Sequence, residues 1–292
     1  MSGISLRPPV LAGPDVKGLR IPERSLELLR DLVAAQTGMF YDDGRLDFLR
    51  DRLAPLAIEH GFDSFLDYYY LLKYDGGAAD AWVRAIDALS VQETYFWREA
   101  DQITALADVI VPQLVANHSW PVRIWSVPCA SGEEPLSMAI ALEERGWFGR
   151  VPIEIHGSDA SEAALQRARA GRYGGRAFRQ LPEPLREKYF AEEAGGREWT
   201  VKPDLHRRVK SWTRLNVVQR DQLAVLGGSN VIFCRNLFIY FTAPTVAQVV
   251  EAFADLMASP AYLCVGAAES LLRLTTRFEL REIGGAYVYC KS

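Results

Sequence analysis

A surplus of basic residues is missing from this chain. Its 33 Lys and Arg stand against 37 Asp and Glu, a formal charge of −4, and that balance excludes a general electrostatic nucleic-acid binder. Paired cysteines are missing too. Cys129, Cys234, Cys264 and Cys290 are far apart and form no CxxC, which excludes a disulfide framework and leaves buried free thiols in a reducing compartment. The four histidines show no metal-ligand spacing, so no metal site is expected. No apolar run approaches the roughly 20 residues that span a bilayer. The opening MSGISLRPPVLAGPD also lacks the apolar core of a signal peptide, and a cytoplasmic protein without membrane insertion is expected.

What is present is ordinary globular material, 49% hydrophobic and 24% charged over 292 residues, enough for one large domain or two unequal ones. Residues 1–20 hold three prolines and three glycines and read as a flexible arm. Residues 21–89 read as a small all-helical domain, with apolar repeats at three and four residues through Leu26, Leu29, Leu32 and Val33 and again through Leu46, Leu49, Leu53 and Leu56. Ser64 is a reasonable cap for the stripe Phe65, Tyr69 and Leu72. Arg45, Arg50 and Arg52 lie among the leucines. They form either a solvated helix face or a patch for an acidic partner helix.

The stretch VRIWSVPCASGEEPLS, Val122–Ser137, organises the remainder. It reads as a buried strand, a loop of small residues and a helix start, with Pro135 suited to the first helical position. Such strand–loop–helix units build nucleotide-type sites. Here the loop carries Glu133 and Glu134 but no Lys or Arg. That suits hydroxyls or a cation rather than phosphate, and S-adenosylmethionine offers both a ribose diol and a sulfonium. The alternative is a plain tight turn.

Alternating strands and helices follow from Val122, the pattern of a mainly parallel sheet. Asp159 ends the second strand, 27 residues after Gly132, where a dinucleotide fold holds ribose hydroxyls; a simple helix-capping role is the alternative. Residues 172–212 interrupt the alternation and suggest a short antiparallel insertion. Arg235 and Asn236 follow the apolar run Val231–Cys234, at a carboxyl edge where α/β sheets bind ligands. FELREIGGAYVYC reads as a terminal hairpin. In SVQETYFWRE, Arg98 is interleaved with aromatics, and either stacks on the surface or is held over a ligand.

Taken together, SVQETYFWRE, WSVPCASGEEPLSMAIAL, SDAS, LNVV, VIFCRNLFIYF and VGAAES occur in the order and spacing of the CheR-type chemotaxis receptor methyltransferases. The resemblance runs from about Ile21 to Tyr289. It implies an α/β fold: a Rossmann-like methyltransferase domain over 90–292, a helical N-terminal domain over 21–89 and an inserted β-subdomain near 172–212. It also implies S-adenosylmethionine as cofactor and S-adenosylhomocysteine as product. The implied activity is methylation of glutamate carboxylates on a chemoreceptor-type signalling protein by a monomeric enzyme.

By the same resemblance the cofactor contacts fall on Gln92, Thr94, Arg98, Glu134, Asp159, Asn216, Val217, Arg235 and Asn236. Arg98 and Tyr240 are the pair beside the transferred methyl group, and Arg45 and Arg52 match basic partner-binding positions. Departures from the family pattern are Gln92 for Asn, Val217 for Leu, Pro128 for Gly or Ala, and Ala267-Ala268 for His-Ser. Ala54, Pro55 and Leu56 stand where further basic residues are usual. That reduced basic face favours one alternative, the same fold acting on a different carboxylate. The other alternative, a cofactor-sensing regulator without transfer activity, has Arg98, Tyr240 and the complete GEEP loop against it.

Overall fold

The structure, a computed structural model, describes residues 18–22 and 24–291. Most of the arm expected over 1–20 lies outside the described residues. Two compact units divide the chain at Leu89 and Ser90, with Thr37–Met39 counted in the second.

The first unit contains α1 (Ser25–Thr37), α2 (Leu46–Glu59), α3 (Phe65–Tyr74) and α4 (Ala79–Leu89). Leu29, Val33, Leu49, Leu53, Phe65, Tyr68 and Ala85 are fully buried in it; the first five fall on the apolar stripes that the sequence spacing marks out, whereas Tyr68 and Ala85 lie off them. Ser64 caps α3 by accepting from the Leu66 N–H at 3.2 Å. Arg20 is bridged to Ser64, so this residue of the expected arm is docked. Arg45 is exposed and closes a short turn before α2, one residue outside the helix assigned to it by sequence. Arg52 lies 5.0 Å from the centroid of the Phe48 ring.

In the second unit α5 (Ala100–Ala105) continues through a π-type turn into α6 (Val111–Ala116). The strands and helices that follow are β1 (Val122–Ser126), α7 (Glu133–Glu144), β2 (Ile153–Asp159) and α8 (Glu162–Ala170). Next come β3 (Arg172–Gly174), α9 (Glu183–Tyr189), β4 (Phe190–Glu192), β5 (Glu198–Val201), α10 (Pro203–His206) and β6 (Val209–Arg214). The last elements are α11 (Arg220–Leu223), β7 (Val231–Cys234), α12 (Ala243–Leu256), β8 (Ala261–Val265), β9 (Glu279–Ile283) and β10 (Ala286–Lys291).

The main sheet has the order β6-β2-β1-β7-β8-β10-β9. Its first five strands are parallel, and β10 runs antiparallel to both β8 and β9. The chain moves outward from β1 to β2 on one side and to β7 on the other, so the loops after these three strands meet at a switch point. One face is packed by Leu106, Ile110, Leu136 and Ile140, the other by Val246, Val250 and Phe253. Trp125, fully buried, meets Phe253 at 5.8 Å between centroids.

The insertion forms a separate antiparallel sheet, β3-β5-β4. Residues 209–212, placed in the insertion by sequence, belong instead to β6 of the main sheet, where Val209 aligns with Ile155. Gly171 stops α8 with φ +61°, a left-handed value suited to glycine. The terminal hairpin is present, with Gly284 and Gly285 between β9 and β10.

Candidate functional site

The loop after β1 turns directly into α7, which begins at Glu133 with Gly132 preceding it at φ +95°. Pro135 therefore sits in the first turn rather than at its first position. Its missing N–H falls among the helix's unsatisfied donors either way. The small residue at Gly132 makes room for protein, not ligand. A Cβ there would lie 2.9 Å from the Trp212 ring, and one on Gly157 would lie 2.7 Å from the same ring. Trp212 of β6 thus lies across the base of the loop.

Asp159, at the carboxyl end of β2, is 7% exposed. Its carboxylate accepts from the Ala130 N–H at 2.9 Å and the Ser161 N–H at 2.8 Å, which ties the loops after β1 and β2 together. The Leu215 N–H reaches the Asp159 carbonyl at 2.9 Å and brings the loop of Asn216 alongside. Asn216 is half-buried and accepts from the Val218 N–H through its side chain; Val217 is buried. Gln92 donates to Ser161 Oγ at 3.0 Å. Its own Oε1 is buried and has no hydrogen-bond partner. Thr94 is half-buried in the extended segment after it. Cys129 lies beneath, and burial, then Asp159 and Glu134, push its thiol well above the usual range.

Glu134 and Arg235 are turned inward. Arg235 Nε donates to Glu134 Oε2 at 2.6 Å, and Ser126 Oγ donates to Glu134 Oε1 at 2.6 Å. Arg235 also donates to the Arg98 carbonyl at 2.9 Å and lies 3.6 Å from the Glu99 carboxylate. Burial opposes its charge, yet Glu134 and Glu99 more than offset that, and its pKa stands above the ordinary value. Glu133 is buried against Ser131 Oγ, and burial raises its carboxyl.

Arg98 sits between two residues in left-handed backbone, Trp97 at φ +69° and Glu99 at φ +51°. Non-glycine residues held there store strain and cluster at functional sites. The buried Arg235 grips this strained turn from below. Arg98 itself donates to the Glu93 carbonyl at 2.6 Å and lies 5.6 Å from the Tyr95 ring centroid. Arg179, brought in from the insertion, lies 3.6 Å from the same centroid and pairs with Glu93 at 2.6 Å. Beside them Phe96 packs against Tyr173, Phe178 and Phe190 at 4.8, 5.1 and 4.9 Å, joining the motif segment to the small sheet.

The residues 92–285 match the family profile described as CheR methyltransferase, SAM binding domain, and residues 24–90 match the CheR methyltransferase all-alpha domain. The chain belongs to the CheR methyltransferase family. Chemotaxis protein methyltransferase 2 of Vibrio cholerae serotype O1 is 32% identical over 265 residues, covering 90% of this chain and 91% of its own. Chemotaxis protein methyltransferase 1 of the same organism is 33% identical over 260 residues, covering 87% and 92%. Chemotaxis protein methyltransferase 1 of Pseudomonas aeruginosa is 29% identical over 269 residues, covering 90% and 96%.

The cofactor of this CheR-family chain is S-adenosylmethionine. The donor and acceptor set at the switch point fits it. An acidic side chain at the end of β2 suits a diol, an amide at Asn216 suits a base edge, and the orphaned Gln92 Oε1 suits a ligand donor. Sequence reasoning missed three residues here: Trp212 over the loop glycines, Arg179 beside Tyr95, and Glu269. Burial raises the Glu269 carboxyl although the Gly266, Asn236, Phe238 and Ile239 amides pull it down. Asn236 follows Arg235 at φ +60°, and Tyr240 ends a short turn, half-buried. Among the described residues no helix is long and apolar enough to cross a membrane.

Proposed function

We propose that this CheR-family methyltransferase esterifies glutamate side chains of a chemoreceptor-type signalling protein. The observation that carries the reading is the match to both family domains across 24–285, joined to relatives named chemotaxis protein methyltransferases that align over nine-tenths of the chain. Support also comes from the strained turn around Arg98, whose backbone carbonyl accepts from Arg235 at the end of β7.

Bound S-adenosylmethionine supplies an electrophilic methyl group on a sulfonium. Asp159 would accept from the ribose hydroxyls, Asn216 and Val217 would hold the adenine, and Gln92, Thr94 and Asn236 would complete the contacts. Glu134 and Arg235 hold the floor as a nearly neutral pair, 2.6 Å apart. A free glutamate has a pKa of about 4.3 and is already anionic at neutral pH. No general base is therefore required. The chain's task is to orient that carboxylate and strip its water.

Arg98 orients the acceptor carboxylate, and Tyr240 positions the reacting groups through its hydroxyl. Opposite charges are lost as methyl transfer proceeds, so a site gripping both ions more tightly would favour the ground state. Arg45 and Arg52 face the acidic acceptor helix, and the esters formed reduce that helix's charge and bias its bundle. The test is transfer of a radiolabelled methyl group to a cognate receptor, with base-labile release as methanol. Release from glutamate supports the reading; label on a small carboxylate alone, or none at all, overturns it.

A further inference from the structure

Four backbone N–H groups from two separate loops converge on one side chain, Glu269. Oε2 accepts from Gly266 at 2.6 Å and from Asn236 at 2.8 Å, while Oε1 accepts from Phe238 at 2.6 Å and Ile239 at 3.3 Å. The donors lie after β8 and after β7, adjacent parallel strands. Asn236 is held at φ +60°. A Cβ on Gly266 would come within 2.6 Å of Asn236 Nδ2 and 3.0 Å of its backbone N. The two loops are therefore pressed together, and their shared acceptor is the carboxylate.

We propose that Glu269 is the positioning residue that sets the loop Arg235–Tyr240, and through it the cofactor contact of Asn236 and the placement of Tyr240. This rests on the proposed reading of those two residues. An ionised carboxylate accepts only, on two oxygens, and so matches four converging donors. A glutamine has nearly the same size but turns one oxygen into an NH2 group facing two N–H groups. The loop then opens, because a donor cannot satisfy a donor.

The experiment measures the Kd of S-adenosylhomocysteine by calorimetry for wild type, Glu269→Gln, Asn236→Ala and the control Ala268→Ser, with folding checked by circular dichroism. Hydrogen exchange is read on the peptide spanning 235–241. Folded Glu269→Gln is expected to bind at least about tenfold more weakly, the scale set by losing a hydrogen bond to a charged group. Its 235–241 amides should exchange faster, and Ala268→Ser should match wild type. Folded Glu269→Gln with Kd within twofold of wild type overturns the proposal.

If Glu269→Gln does not fold, Glu269→Asp, which keeps both acceptor oxygens but draws them one methylene back from the four N–H groups, is read against the same limits: binding at least about tenfold weaker supports the proposal and a Kd within twofold of wild type overturns it. Should neither fold, the proposal is overturned, because Glu269 then holds the domain rather than the loop. An unchanged Kd in Asn236→Ala with a weakened Glu269→Gln retires the cofactor contact of Asn236 alone and leaves the positioning role standing.

Discussion

Replacing Arg235 with methionine keeps the aliphatic stem and removes the guanidinium. Its side chain is 2% exposed and that of Glu134 is 11% exposed, so the carboxylate left behind is buried, with Ser126 Oγ at 2.6 Å as its remaining donor. Breaking one half of a buried ion pair costs about 3–5 kcal/mol. The Arg98 carbonyl also loses its 2.9 Å donor, which falls within that range because the strained turn at Trp97 and Glu99 relaxes as it is released. For a unit of this size each kcal/mol moves the melting point by roughly 2–4 °C. Arg235→Met should therefore melt about 6–20 °C below wild type in calorimetry of the full chain.

The double variant Glu134→Gln with Arg235→Met removes the orphaned charge and should recover roughly half the loss, since paired sites are not additive. Arg235→Met within about 1 kcal/mol of wild type, a discrepancy well outside the range for buried pairs, would refute the reasoning. So would a double variant no more stable than the single.

Gly157→Ala places a methyl 2.7 Å from Trp212 and should cost about 1–3 kcal/mol by overpacking; adding Trp212→Leu should restore much of it in urea unfolding. Arg98→Ala and Tyr240→Phe should each lower kcat at least about tenfold, a loss of about 1.4 kcal/mol or more in transition-state stabilisation, while the fold is unchanged by circular dichroism. Burial pulls the His156 imidazole below 6.5. The folded state then binds fewer protons, so this contribution is complete above that pH and is lost as pH falls from 6.5 toward the folded value. One proton sets the slope at no more than about 1.4 kcal/mol per pH unit. His156→Gln should flatten the acid side of a stability–pH curve.

Much of the fold was legible because it is written in local periodicity and turn chemistry. Val122–Ser126, the Ser161 and Gly171 boundaries of α8, the continuous apolar β7 and the Gly284-Gly285 hairpin all follow from spacing and from residues with narrow backbone preferences. Other features were not legible, for a different reason. Trp212 lies over Gly132 and Gly157, Arg179 reaches Tyr95 from the insertion, and Glu269 bonds amides 30 residues away. Each depends on partners brought together only by sheet order. The small residues of the loop after β1 were visible, but whether they yield to a ligand or to a tryptophan depends on β6, whose first four residues, 209–212, sequence patterning assigned to the insertion.

The most direct test is the crystal structure of the chain with S-adenosylhomocysteine. The account requires density at the carboxyl edge of β1, β2 and β7, with the ribose on Asp159, the adenine beside Asn216, and the sulfur facing Arg98. Density elsewhere, or a ligand there that Asp159 and Asn216 do not both touch, would contradict it.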